Sequence, residues 1–309
     1  MRTTVRLSGA GRRPRAYAAA VPAPASPAAP DAAPPDPRLP PVVDADWLHA
    51  HRGEVVLADV RWYLDGRSGR TAYREGHLPG AVHVDLDRVL AAPPSADGGR
   101  HPLPDPAAFA EGLGALGVGD GQAVVAYDDA GGTVAARLVW LLRALGEPAA
   151  LLDGGLAAGS AEAGALETAD VRLPPAPRTP RPWPGALLAD ADDAADPAHV
   201  VLDARDAARY RGEVEPVDPR PGHVPGAVSL PARGALGPDG RFLPPAALRE
   251  RFAAAGADGG RPVVAYCGSG VTACHVLLAM EHAGLGRGRL YPGSWSAWSA
   301  SGRPAATGA

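Results

Sequence analysis

The sequence predicts an α/β protein of two tandem domains, each a parallel sheet flanked by helices, and three observations carry that reading. Short β-branched runs alternate with segments of helical periodicity, the pattern of a parallel sheet covered on both faces. Three blocks recur in the same order in the two halves of the chain, which marks a duplicated domain. Between the halves lies a proline-rich stretch that neither a central strand nor a helix would tolerate.

In chain order, residues 1–40 come first, with several arginines, no acid before Asp31 and then an Ala-Pro run. Their charge is that of a sorting peptide, but they lack a sustained apolar region, so a disordered tail is expected. The first domain is expected over 41–160, with strands at Val55 to Val60 and Ala123 to Tyr127 and a helix at Val134 to Leu145. "AEAGALETADVRLPPAPRTPRPWPG", residues 161–185, is the expected linker. The second domain, 186–309, repeats the pattern with strands at Val200 to Asp203 and Val263 to Tyr266 and a helix at Cys274 to Ala283. The matched blocks are "VVLADVRWYLDGRSGRTAYREGHLPGAVHVDL" with "VVLDARDAARYRGEVEPVDPRPGHVPGAVSLP", "QAVVAYDDAGGTVAARLVWLLRALG" with "RPVVAYCGSGVTACHVLLAMEHAGL", and "ALLDGGLAAG" with "RLYPGSWSAW".

Composition narrows the function. A chain of 309 residues that is 46% hydrophobic can bury two cores. Its formal charge of -4, without a basic stripe, gives no footprint for nucleic acid. Gly, Pro, Asp and Arg interrupt every apolar run before the roughly 20 residues of a spanning helix, so no membrane partner is expected. Every cation is arginine, since the chain has no lysine, and Schiff-base and P-loop lysine chemistry are thereby excluded. Two cysteines cannot build a disulfide framework in a chain this long, and a reducing, cytoplasmic setting is expected.

Both cysteines lie in "VVAYCGSGVTACHVLLAM". Cys267 falls where a buried strand hands over to a helix, at the carboxyl end of a parallel sheet, the place where open α/β folds put ligands. Gly268, Ser269 and Gly270 can turn the chain so that successive N–H groups point inward as an anion nest, and the helix start adds to the same field. Both effects favour a thiolate, or a persulfide anion on the same sulfur. The first copy has Asp128 at the equivalent position; a packing position would hardly alternate between thiol and carboxylate, so an open, lined site is expected. Cys274, two turns into an apolar helix, is expected in the core, a resolving cysteine being the alternative. Phosphotyrosine-type phosphatases use a similar loop but need an arginine six residues after the nucleophile, and position 273 is alanine.

From Val42 to about Pro304 the sequence resembles the two-domain rhodanese family of sulfurtransferases. The resemblance rests on the doubled Gly-His-x-Pro-Gly-Ala, the Cys-Gly-Ser-Gly-Val-Thr-Ala loop of Cys267 to Ala273, and "YPGSWSAW" at Tyr291 to Trp298. It implies two rhodanese-like domains, a catalytic cysteine in the second copy only, a persulfide intermediate, and no metal or organic cofactor. Members that act on thiosulfate place Arg and Lys after the cysteine. Those acting on 3-mercaptopyruvate have Gly and Ser, as at Gly268 and Ser269, and grip the donor with arginines from outside the loop.

The resemblance further implies Arg209 and Arg220 as substrate arginines, His101 as a cleft residue, and Gly268, Gly270, Val271 and Thr272 as the binding loop. Ser269 and Asp87 would complete a Cys-Ser-Asp relay with Cys267. Arg61 and Arg205, and likewise His77 and His223, recur in both copies and are expected to be structural. The partners expected are a small-molecule sulfur donor and, as acceptor, cyanide, a thiol or a thioredoxin-like protein, with the chain acting as a monomer. A thiosulfate sulfurtransferase on the same fold and a non-enzymatic persulfide carrier are the alternatives.

Overall fold

The structure, a computed structural model, describes Met1 and residues 39–309. The tail expected at residues 1–40 therefore lies almost wholly outside the described residues.

Two parallel sheets form the frame. The first contains β1 (Val42–Val43), β2 (Val55–Asp59), β3 (Val82–His83), β4 (Ala123–Tyr127) and β5 (Ala149–Leu152), in the order β1-β5-β4-β2-β3. Its connections carry α1 (Ala45–Ala50), α2 (Gly69–Glu75), α3 (Leu86–Val89), α4 (Pro106–Ala115) and α5 (Ala136–Ala144), and α6 (Gly155–Ala163) follows β5. The second half begins with α7 (Ala191–Ala195) and orders its sheet β7-β6-β8-β9, with β6 (Val200–Asp203), β7 (Val228–Ser229), β8 (Val263–Tyr266) and β9 (Arg289–Leu290). Helices α8 (Ala207–Tyr210), α9 (Pro245–Ala254), α10 (Thr272–His282) and α11 (Ser294–Ala300) complete it. The pairing of β1 with β5 has a remnant here, a single parallel bridge between Leu188 and Leu290.

The α/β reading from sequence holds, and the repeat extends to individual hydrogen bonds. Arg61 grips the Asp59 carboxylate and the Gly76 carbonyl; Arg205 grips Asp203 and the Gly222 carbonyl. His77 donates through Nδ1 to the Tyr73 carbonyl at 2.7 Å, and His223 does the same to Tyr210 at 2.7 Å. These groups fix the Gly-His-x-Pro-Gly-Ala turns, the structural role that their recurrence predicts.

Helices α5 and α10, each following the loop after a central strand, pack against one another and bury their apolar side chains in one continuous core. Such helices are hydrophobic on nearly every side, which an amphipathic surface helix is not. Arg143 of α5 pairs with Glu281 of α10 across this junction at 2.6 Å. Helix α6 runs to Ala163, into the expected linker, after which the chain lies extended along the first domain. Glu167 exchanges backbone hydrogen bonds with His77, and Ala176 donates to Gly114. No helix of the described residues is long and apolar enough to cross a membrane.

Candidate active site

Cys267 is the first residue beyond β8, 3% exposed, and its side lines a cleft of about 670 Å³ between the two halves. Trp62, Tyr63, Arg100 and Thr133 come to this cleft from the first half; Arg209, Gly268, Ser269, Val271 and Thr272 come from the second. The loop is clamped from behind by the start of α11. Trp295 and Ser296 donate to the carbonyls of Cys267 and Gly268, each at 2.9 Å. The Cys267 N–H donates to Ser294 Oγ at 3.2 Å, and that hydroxyl donates to the Tyr291 carbonyl at 2.9 Å. Gly270 turns the loop at φ 77°, where a β-carbon would lie 2.7 Å from the Pro292 carbonyl oxygen.

Ser269 is joined to the first half by a short chain of polar groups. His101 Nδ1 lies 2.8 Å from Ser269 Oγ, and His101 Nε2 lies 3.2 Å from Asp87 Oδ1. Trp62 Nε1 donates to the other Asp87 oxygen at 2.9 Å. The expected direct relay from Ser269 to Asp87 is thereby corrected: His101, read from sequence as a binding residue, stands between them. Burial lowers the His101 pKa; Asp87 opposes this, while the Arg137 and Arg100 charges add to it. The neutral ring donates from Nε2 to Asp87 and leaves Nδ1 to accept the Ser269 hydroxyl proton.

Sequence reasoning missed Arg137, which is fully buried in α5. It donates to the carbonyls of Gly270 at 3.0 Å, of His101 and Pro102 at 3.2 Å each, and of Leu90 at 3.3 Å. One guanidinium thus pins the cysteine loop and the histidine loop together. The only signal in the sequence was a charge inside an apolar helical run, at a position where the second copy has Val276.

The two expected substrate arginines part company. Arg209 faces the cleft and is held by Glu215 at 2.5 Å and Asp218 at 3.0 Å. Arg220 lies elsewhere, and its place as a substrate arginine is corrected. Its guanidinium donates to the carbonyls of Ser299, Trp298, Ser301 and Arg303 at 2.7 to 3.1 Å, tying down the chain after α11. The cleft instead receives Arg100, whose Nη1 pairs with Asp218.

The first copy shows what the loop geometry does. Asp128 is fully buried, and its carboxylate accepts from the N–H groups of Ala130, Gly132, Val134 and Ala135 at 2.7 to 2.9 Å. Burial raises its pKa while these four donors pull the other way. The open site expected from Asp128 is corrected for this copy: its own side chain fills the nest. Cys274 is buried as expected, with Sγ 3.3 Å from the Gly270 carbonyl oxygen and burial pushing its pKa up to about 12.

A model of the rhodanese-like domain matches residues 44–162 and 187–301. A Pseudomonas aeruginosa protein named probable 3-mercaptopyruvate sulfurtransferase is 48% identical over 267 residues, covering 82% of this chain and 93% of its own. The human 3-mercaptopyruvate sulfurtransferase is 37% identical over 288 residues, covering 85% and 93%. A Mycobacterium tuberculosis relative, provisionally named a thiosulfate sulfurtransferase, is 39% identical over 257 residues, covering 79% and 88%. The crystal structure of the Escherichia coli 3-mercaptopyruvate enzyme superimposes with a TM-score of 0.72 at 31% identity, covering 83% of this chain and 99% of that one. With the duplicated sheet, the loop after each central strand and a cysteine in only one of the two loops, the chain belongs to the rhodanese family as a two-domain member.

Proposed function

We propose that the protein is a sulfurtransferase that moves a sulfane sulfur from 3-mercaptopyruvate through a Cys267 persulfide to a nucleophilic acceptor. The observation that carries this reading is the chain Asp87–His101–Ser269 beside a cysteine loop that holds no cation of its own. A thiosulfate dianion would meet no counter-charge within the loop, whereas a keto-acid thiol needs a proton moved from sulfur to carbon.

In the first step the Cys267 thiolate attacks the donor sulfur, an S–S bond forms, and the carbon–sulfur bond breaks with its electrons passing to the enolate of pyruvate. Ser269, with His101 accepting and returning the proton, carries the donor's thiol proton to that enolate carbon. Pyruvate leaves, and Cys267 carries a persulfide anion. The N–H groups of Ser269, Val271 and Ala273 match three of the four that hold the Asp128 carboxylate, and they are the donors proposed for that anion. In the second step cyanide attacks the outer sulfur, giving thiocyanate and the free thiolate. A small thiol or a thioredoxin-like protein in a reducing cytoplasm would serve equally, and Leu64, exposed at the edge of the cleft, offers such a protein an apolar contact.

Steady-state turnover with cyanide as acceptor tests the donor: kcat/KM should be higher for 3-mercaptopyruvate than for thiosulfate. The reverse order would make the protein a thiosulfate sulfurtransferase. Cys267→Ser should abolish turnover with either donor, and persulfide formation without repeated turnover would point to a carrier.

A further inference from the structure

We propose that a second cavity, between the hairpin that leads to His101 and the segment that leads into α11, binds a small organic cation: an ammonium group on an apolar body. The cavity shares no lining residue with the catalytic cleft, and the inference is independent of the donor reading. Its volume is about 500 Å³, within the range of small-molecule sites.

One wall is the hairpin closed by Ser95 and Gly99, which exchange backbone hydrogen bonds at 3.0 and 2.9 Å, and it brings Asp97. The other wall is the stretch from β9 into α11, which brings Tyr291, Pro292 and Gly293, with Arg303 following α11. A β-carbon on Gly293 would lie 2.9 Å from the Asp97 carbonyl oxygen and 3.0 Å from Tyr291 Cε2, so the two walls meet at this glycine. An occupant therefore touches both the hairpin that leads to His101 and the segment whose N–H groups clamp the cysteine loop.

Tyr291 is the residue that points to a ligand. It is 4% exposed and lines the cavity, yet its hydroxyl has no hydrogen-bond partner among the described residues. A buried tyrosine hydroxyl ordinarily finds one, and the other buried tyrosines here do. Tyr73 and Tyr210 donate to the carbonyls of Ala81 and Ala227, and Tyr127 and Tyr266 accept from the N–H groups of Leu78 and Val224. The first copy has Leu152 at the matching place, packed in its core, so packing at this position needs no hydroxyl. Burial pushes the Tyr291 pKa up to about 12; the Arg303 charge opposes this, and those of Asp190 and Asp97 add to it. The phenol thus stays neutral, with the three charged groups of the cavity around it.

The balance of those charges selects a cation. Arg303 is neutralised by Asp192 at 2.6 Å, whereas Asp97 and Asp190 form no salt bridge among the described residues. One Asp190 oxygen caps α7, accepting from the N–H groups of Asp192 and Asp193 at 2.8 and 2.9 Å, and the other is left over. Pro102, Leu103, Pro292 and Ala297 supply apolar surface. Two unpaired carboxylates and a neutral hydroxyl over such walls complement an ammonium on a hydrocarbon body and repel a carboxylate.

Titration calorimetry of the full chain at pH 7 with 2-phenylethylamine, 2-phenylethanol and 3-phenylpropionate tests this, because the three share a phenyl body and differ in charge. The amine should bind about 10-fold more tightly than the alcohol, and the carboxylate more weakly than either. Asp97 is exposed, so Asp97→Asn should fold; it should lower the amine's affinity roughly 5- to 10-fold and leave the alcohol's nearly unchanged. Tyr291→Phe keeps the ring and should also weaken the amine, by a smaller factor. Equal affinities for amine and carboxylate, or no binding of any of the three, would overturn the proposal. Amine binding that both variants leave unchanged would place it elsewhere on the chain and overturn the proposal as well.

Discussion

Ser294 holds a left-handed backbone at φ 51°, the one non-glycine residue with positive φ among the described residues. Such a conformation costs roughly 1–3 kcal/mol. The first copy has Gly155 at the matching place, φ 54°, where a β-carbon would lie 2.3 Å from the Asp128 carbonyl oxygen. The serine hydroxyl explains the exchange, because it accepts from Cys267 N–H and donates to Tyr291. Ser294→Ala keeps the strain and loses both bonds, so urea unfolding should show a loss of about 2 kcal/mol. Ser294→Gly relieves the strain and should lose less.

Asp87→Asn and His101→Gln should each lower kcat about 100-fold with little change in KM, the usual scale of a lost proton-transfer partner. The pH–rate profile carries a second reading. Because burial lowers the His101 pKa, the ring is still neutral as pH falls through 6.5, and the acid limb of kcat should lie below that value. An acid limb at or above 6.5 would contradict the assigned relay.

At the scale of elements, the loop after β4 and the loop after β8 are one structure with two occupants. In the first, an aspartate supplies the anion and the loop closes on itself. In the second, the small thiol lines the cleft, and the start of α11 donates to the Cys267 carbonyl as the start of α6 does to that of Asp128. The Asp128 carboxylate satisfies four N–H donors with two oxygens, which an amide cannot do, since one of its two ends is itself a donor. Asp128→Asn should therefore lower stability by about 3 kcal/mol in urea unfolding, the cost of leaving two buried N–H groups unmet. Turnover per folded molecule should change little, because the substituted side chain faces its own loop. A variant as stable as the parent would show that these four bonds are not what holds the loop.

For the whole molecule, His275 joins the halves. It lies in α10, stacks on Phe242 at 4.7 Å, and its Nε2 donates to the Gly131 carbonyl of the first domain at 3.1 Å. Burial pushes its pKa down to about 4. Between pH 6.5 and 4 the unfolded chain binds a proton that the folded one refuses, so stability falls as pH falls through this window, by about 3 kcal/mol from this residue. Urea midpoints between pH 7 and pH 4.5 should show the slope, and His275→Leu should flatten it. A residual slope of the same sign is expected from His83, His101 and His282, whose pKa values burial also lowers.

The sequence by itself determined the duplication, the parallel α/β fold, the position of Cys267 beyond a central strand and the structural role of the repeated Arg and His residues. Periodicity and repetition report local geometry, and these features are local or copied. Only the tertiary structure decided which residues the two halves bring together. Nothing along the chain says that His101 stands between Ser269 and Asp87. Nor does it say that Arg137 pins two loops through their carbonyls, or that Arg100 enters the cleft while Arg220 is tied to the chain end. The choices that cross between the halves depend on how α5 packs on α10, and an interdomain packing angle leaves no periodic trace in either segment.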